Sequence, residues 1–124
     1  MTLQRLNRTA PSHESLLHIY KGGKMVFNAN ASRLLELCPE SFVSICFDKE
    51  SYEARGVKRL YVGTARNGHL VKPRRDTFYV CSASLCKDVS EALEGYGTYR
   101  ICPEDFTRDI DGTKYYNIFF KKYD

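Results

Sequence analysis

The same order of sequence patterns occurs twice along this chain, and the repetition constrains the fold more than any single motif. In each half, a short apolar run precedes a β-forming segment, a helical stretch and two further β-forming segments. These features lie at Leu17–Tyr20, Met25–Phe27, Asn30–Cys38, Ser41–Phe47 and Lys58–Val62, and again at His69–Val71, Thr77–Val80, Ser84–Leu93, Gly97–Cys102 and Lys114–Lys122. Only two copies, with a period of roughly 50 to 56 residues, fit the chain, so the pattern predicts a duplicated unit and not a solenoid.

The patterns predict an α+β fold in which two β-β-α-β-β units form one pseudo-two-fold, β-rich domain. The units span approximately residues 16–65 and 66–124, and 124 residues is close to the usual size of one domain. Residues 1–14 contain only scattered apolar side chains, so we expect them to be loosely ordered. The alternative is a chance match of strand and helix patterns, since identity between the halves is low.

Three glycines mark the expected ends of elements. Asn67-Gly68 predicts a tight hairpin between two strands, and Asp111-Gly112 predicts another between the last two, because these residues tolerate positive φ. Gly95 follows the second helical stretch and is a plausible helix stop for the same reason.

Potential nucleophiles and metal ligands do not form a catalytic or metal-binding motif. The cysteines lack C-x-x-C spacing, and the three histidines lack H-x-x-x-H or H-E-x-x-H spacing. Neither a G-x-x-x-x-G-K-[ST] loop nor a G-x-S-x-G elbow occurs. We therefore expect no enzyme activity, no catalytic residue, no metal and no cofactor.

The odd number of cysteines and their irregular spacing favour reduced thiols. Cys38, Cys46 and Cys102 fall within helical or strand-like runs, where we expect them to pack as small apolar side chains. Cys81 and Cys86 flank the start of the second helix, where a thiol pKa can fall, but no neighbouring general base is evident.

Residues Met1–Ser15 lack the apolar core of a signal peptide. No uninterrupted apolar run approaches the roughly 20 residues that a membrane-spanning helix requires. We therefore expect a cytoplasmic protein without a membrane partner.

The first unit resembles the swapped-hairpin domains of AbrB/SpoVT-type transcription regulators. The similarity rests on Gly23–Phe27, then Ala31–Leu37, then Ser41–Ile45, and it is clear over Leu17–Val62. It is weaker over the second unit, where Arg75-Asp76-Thr77 replaces the glycine hinge. Asn28-Ala29 also replaces the family's usual Ile-Pro or Val-Pro, and family members usually carry one unit and dimerise.

The resemblance implies duplex DNA binding in transcription regulation. It also implies a DNA-facing set formed by Lys21, Lys24 and Arg33, with Lys72, Arg74, Arg75 and Lys87 as counterparts in the second copy.

A different reading frame is also open. Four strands, Ser41–Phe47, Leu60–Val62, His69–Val71 and Thr77–Val80, followed by a helix give a β-β-β-β-α unit. This unit resembles the one that is duplicated in Whirly and PUR single-strand-binding proteins. Both readings imply a curved, β-rich protein that binds nucleic acid.

The net charge of +4 hides a polarised distribution. From Ala54 to Arg75 there is no Asp or Glu, and there are seven cations: Arg55, Lys58, Arg59, Arg66, Lys72, Arg74 and Arg75. From Asp88 to Asp111 there are seven acids and two cations. The basic stretch can neutralise phosphates, with Tyr61 and Tyr79 as stacking faces. Alternatively, its cations line a solvated surface or pair with the acidic stretch.

We expect a non-catalytic nucleic-acid-binding protein that acts as a transcription regulator and favours duplex DNA over single strands. The candidate binding residues are Lys21, Lys24, Arg33, Lys58, Arg59, Arg66, Lys72, Arg74, Arg75 and Lys87. The alternative is a protein-interaction or assembly module whose aromatic strand, Tyr115–Phe120, lies at a sheet edge and recruits a partner by β-addition. A homodimer is compatible with either function.

Overall fold

Antiparallel strands account for most of the regular secondary structure. A computed structural model describes residues 14–123. Of the segment 1–14 that we expect to be loosely ordered, only Glu14 is described, and His13 also lies outside the described residues. Within that part the strands are β1 Ser15–Ile19, β2 Lys24–Phe27, β3 Phe42–Phe47, β4 Leu60–Thr64, β5 His69–Leu70, β6 Lys72–Arg74, β7 Thr77–Cys81, β8 Gly97–Arg108 and β9 Lys114–Lys122. The helices are α1 Ala29–Leu34, α2 Lys49–Arg55 and α3 Ala83–Ala92. The strand-rich α+β class is confirmed.

One continuous segment, His69–Arg74, nearly closes the sheet. The strand order is β5-β3-β4-β9-β8-β1-β2-β7-β6, and every pairing is antiparallel. The two outermost strands, β5 and β6, are separated in sequence only by Val71. This segment therefore pairs first with β3 and then with β7, and the Val71 amide donates to the Ser41 carbonyl at 2.9 Å between them.

The core lies inside this curved sheet because alternate side chains along each strand point inward. In β1, Leu17 and Ile19 are fully buried and alternate with half-buried neighbours. Helices α1 and α3 contribute further buried residues. The largest buried side chains are Tyr99, Phe27, Leu17, Ile19, Met25, Ile101 and Ile118.

Asn28 joins the start of α1 to β1. Its side-chain oxygen accepts from the amides of Ala31 (2.8 Å) and Leu16 (3.0 Å), and its side-chain nitrogen donates to the Glu14 carbonyl (3.0 Å). A helix cap that also binds a neighbouring strand satisfies backbone groups of two elements at once. Asp48, by contrast, caps α2 through one bond, to the Glu50 amide, and α2 has no buried residue.

We expect Asn28→Ala to lower the free energy of unfolding by about 2–3 kcal/mol, because it removes a helix cap and leaves further backbone groups unpaired. The matched change Asp48→Ala should lower the free energy of unfolding by about 1 kcal/mol or less. Urea denaturation of both variants measures the two costs. Equal losses would show that the bonds from Asn28 to β1 contribute nothing.

The turn at Asn67-Gly68 does not form the predicted hairpin. The strands on either side of it, β4 and β5, both pair with β3 and lie on its opposite edges. The chain therefore crosses β3, and a Cβ atom added to Gly68 would lie only 2.1 Å from the Val43 carbonyl oxygen. The glycine is required here by close backbone approach and not by a hairpin.

Gly68→Ala should lower the free energy of unfolding by about 2 kcal/mol or more, because the backbone must shift to admit a methyl group. Gly22→Ala is the matched control, since a Cβ atom there meets nothing within 4 Å. Thermal denaturation of the two variants compares them. A Gly68→Ala protein as stable as the Gly22→Ala protein would contradict the crossing.

Most of the other predicted elements are present. Gly95 (φ +98°) donates to the Ser90 carbonyl at the end of α3, and Gly112 (φ +83°) forms the predicted turn between β8 and β9. The sequence missed α2 because its helix carries no buried face. Helix α1 is shorter than expected and is followed by Glu36, which adopts a positive φ of 53°.

The predicted edge position of the C-terminal strand is wrong. Strand β9 lies inside the sheet, where residues Tyr116–Ile118 pair with β4 and most of its length pairs with β8. Its buried residues include Tyr115 and Asn117. Only Phe119 and Phe120, which follow the segment paired with β4, leave large exposed rings on this strand.

Candidate nucleic-acid interface

The outer face of strands β1, β2, β7 and β6 carries a row of side chains that the core does not use. His18 is opposite Val26, Val26 is opposite Tyr79, and Tyr79 is opposite Lys72. Residues directly opposite in antiparallel strands share one face of a sheet. The buried Met25 and Val80, which neighbour this row in sequence, belong to the inner face.

Two tight turns carry further side chains to this face. In the β1–β2 turn, Gly23 adopts a φ of +97° and its amide donates to the Tyr20 carbonyl at 3.1 Å. In the β6–β7 turn, Arg75 adopts a φ of +59° and the Thr77 hydroxyl donates to the Arg74 carbonyl at 2.7 Å. Both turns therefore depend on left-handed backbone at a defined position.

These strands and turns line an open groove of about 830 Å³, here called the β2–β7 groove. Its lining includes three cations, Lys24, Arg74 and Arg75, and one carboxylate, Asp76. Val26 and Tyr79 lie at the middle of the paired strands and also line it. The groove is therefore basic, with an apolar and aromatic centre.

A lysine contacts an aromatic ring within the groove. The Lys24 ammonium lies 4.8 Å from the centroid of the Tyr79 ring, a cation–π distance. Lys72 is directly opposite Tyr79 on the neighbouring strand and is exposed. Lys21 is exposed in the β1–β2 turn. Five of the ten predicted binding residues therefore lie in or beside the groove: Lys21, Lys24, Lys72, Arg74 and Arg75.

The basic stretch from Ala54 to Arg75 does not form one face. Lys58 and Arg59 precede β4 at the Phe47 end of β3, whereas Arg74 and Arg75 follow the segment that leaves β3 at its Phe42 end. Arg59 forms an ion pair with Asp105 at 3.0 Å. The Lys58 ammonium lies 5.1 Å from the Phe47 ring centroid. Arg59 therefore pairs with the acidic stretch, as the alternative interpretation of the basic stretch predicts.

The remaining predicted residues lie on other elements. Arg66 is exposed in the turn that crosses β3, and Lys87 is exposed on α3. Arg33 lies on α1, where its guanidinium donates to the Asn30 side chain. None of these three lines the β2–β7 groove.

An internal ion-pair cluster occupies part of the acidic stretch. The Arg100 guanidinium contacts the carboxylates of Glu14 (2.5 Å) and Glu104 (3.0 Å). Hydrogen bonds from Arg100 lower the pKa of the Glu104 carboxyl, and those carboxylates raise the pKa of Arg100. Within the acidic stretch, Glu104 is thus neutralised by Arg100 of the same stretch.

All five cysteines are free thiols. The expected burial of Cys38 and Cys46 is wrong, since both are exposed, whereas Cys102 is buried as expected. Of the pair at the start of α3, Cys81 is exposed and Cys86 is buried. Burial raises the pKa of the Cys86 and Cys102 thiols. Among residues 14–123, no three His, Cys, Asp or Glu side chains are grouped so that they could hold a metal ion.

An aromatic disulfide reagent should modify three thiols in the native protein, Cys38, Cys46 and Cys81, and two more only after unfolding. Burial and a raised pKa both disfavour reaction of Cys86 and Cys102. Peptide mass analysis at successive times identifies the modified residues. Early labelling of Cys86 or Cys102 would contradict the packing.

Three residues of this outer face, His18, Tyr20 and Val26, were not identified from the sequence. In β1, the polar His18 lies between the apolar Leu17 and Ile19, an alternation that indicates an outward His18. In β2, Met25-Val26-Phe27 is apolar throughout and gives no such signal for Val26. What the alternation could not give was the identity of the neighbouring strands, which brings β6 and β7 beside β2.

Comparison of the chain with protein-family models, curated proteins and solved structures finds no match. In residues 14–123, no helix is long and apolar enough to span a membrane.

Proposed function

We propose that this protein is a non-catalytic nucleic-acid-binding protein whose β2–β7 groove holds the phosphate backbone. The observation that carries the proposal is that Lys24, Arg74, Arg75 and Tyr79 line one groove on the outer sheet face. Cations that neutralise phosphates release condensed counterions, which favours binding without regard to sequence. A single lining carboxylate, Asp76, opposes them.

We also propose that the chain consists of two β-β-α-β-β units related by a pseudo-two-fold axis, as in swapped-hairpin transcription regulators. In such an arrangement β2 is equivalent to β7, and β4 is equivalent to β9. Both pairs are hydrogen-bonded antiparallel neighbours, which is compatible with an axis that passes between the members of each pair. The axis would cross the β2–β7 groove and relate its two turns.

A role in transcription regulation forms part of this proposal.

The two turns lie at opposite ends of the β2–β7 pair, since Lys24 is opposite Cys81 and Phe27 is opposite Phe78. Cations are therefore available at both ends of the groove, from Lys21 and Lys24 at one end and from Arg74 and Arg75 at the other. An extended nucleic-acid backbone that runs along the groove could contact both ends.

Fluorescence anisotropy of labelled oligonucleotides across a salt series tests the phosphate site. Arg74→Glu/Arg75→Glu should weaken binding by roughly 10- to 100-fold and reduce the slope of log affinity against log salt by about two, because two phosphate contacts are lost. The matched control is Lys49→Glu/Arg55→Glu, which makes the same charge change on the exposed helix α2. The control should leave the slope nearly unchanged.

Equal effects of the two double variants would show that only net charge matters, and would contradict a site in the groove. An absence of binding to duplex and single strands at low salt would end the proposal. The second candidate function is protein interaction at the end of β9. There, Phe119 and Phe120 are 41% and 55% exposed, with ring centroids 5.0 Å apart.

A further inference from the structure

Tyr20 is a large aromatic side chain at the edge of the β2–β7 groove, and it is held in position from one side. Its ring centroid lies 4.1 Å from that of His18, and the ring planes are tilted by 42°. His18 is itself fixed by a hydrogen bond between its Nδ1 atom and the Thr98 hydroxyl. Tyr20 nevertheless remains 46% exposed. One side of the ring is therefore supported while much of its surface remains open to the groove and solvent.

Burial lowers the pKa of His18, which favours its uncharged form. The contact between His18 and Tyr20 is then a packing contact between neutral rings, which restricts the tyrosine without adding charge. A side chain that is already restricted loses less conformational freedom when a ligand contacts it.

The groove combines two aromatic rings with cations on the same face. Tyr20 and Tyr79 both line it, together with Lys24, Arg74 and Arg75. Single-strand-binding surfaces use this combination, in which cations follow the phosphates and rings stack on the bases. Stacking tolerates any sequence because every base has a π-face.

Duplex DNA would leave these rings unused. Tyr20 lies in the β1–β2 turn, and Tyr79 lies at the middle of β7 on the outer sheet face. The paired bases of a duplex stay stacked on one another, so these rings cannot stack on them. Readers of the major groove insert a helix or a two-stranded ribbon. Two described helices directly follow strands of this face, α1 after β2 and α3 after β7, and both contribute buried residues to the core.

Resting on the proposed function, we infer that the β2–β7 groove takes single-stranded nucleic acid, with Tyr20, braced by His18, as the platform on which an unpaired base stacks. Lys24 and Tyr79 lie next along the groove and hold the adjoining part of the strand. This inference reverses the sequence-based preference for duplex DNA.

Three ligands separate base stacking from phosphate binding: oligothymidylate of about 12 nucleotides, an abasic phosphodiester strand of the same length, and a duplex of the same length. Each is titrated with the wild-type protein and with Tyr20→Ala, Tyr20→Phe and Tyr52→Ala. Tyr52 is the matched control because it is a tyrosine of similar exposure, 43%, on helix α2.

Oligothymidylate should bind the wild-type protein about tenfold more tightly than the abasic strand, and more tightly than the duplex. Tyr20→Ala should remove most of that difference and leave the abasic affinity unchanged. Tyr20→Phe should preserve the difference, since it keeps the ring, and Tyr52→Ala should have no effect.

Equal affinities of the wild-type protein for oligothymidylate and the abasic strand would overturn the inference while the phosphate site stands. Tighter binding of the duplex would overturn it as well. Binding of none of the three ligands would overturn the proposed function and the inference together. The wild-type comparison of ligands decides the matter even if a Tyr20 variant fails to fold.

Discussion

The architecture depends on one short segment, His69–Arg74, that pairs with both ends of the sheet. Val71, at its centre, is 2% exposed, and its amide bonds to Ser41 between the β3 and β7 pairings. The segment can reach β3 only because the chain crosses that strand at Gly68, where no side chain fits. Nearly closing the sheet also leaves little unpaired strand edge, a feature that limits unwanted edge-to-edge association.

The same closure produces the candidate interface. It sets β6 beside β7, which in turn pairs with β2, so Arg74 and Arg75 line the same groove as Lys24 from the first half of the chain. The core determines which side chains are left outside: Met25 and Val80 point inward, so Val26 and Tyr79 point outward. A packing requirement thus assembles a basic and aromatic groove, and Arg59, on another part of the sheet, instead pairs with Asp105.

Local structure could be predicted from the sequence wherever a side-chain pattern determines it. Alternation around Val43 and Ile45 gave β3, and the apolar face around Val89 gave α3. Strand neighbours could not be predicted, because hydrogen bonding between distant segments leaves no local pattern. The local signal at Asn67-Gly68 therefore predicts a hairpin, whereas β4 and β5 lie on opposite edges of β3. For the site, charge density identified Arg74 and Arg75, whereas Tyr20 carries no signal until its turn is placed beside the groove.

An amide chemical-shift map of the isotopically labelled protein, recorded during titration with a short oligothymidylate strand, would locate the nucleic-acid site directly. We expect the largest shifts in the β1–β2 turn, the β6–β7 turn and the central residues of β2 and β7, around Val26 and Tyr79. Shifts confined to α2, to the end of β9 near Phe120, or to no region would contradict a nucleic-acid site in the groove.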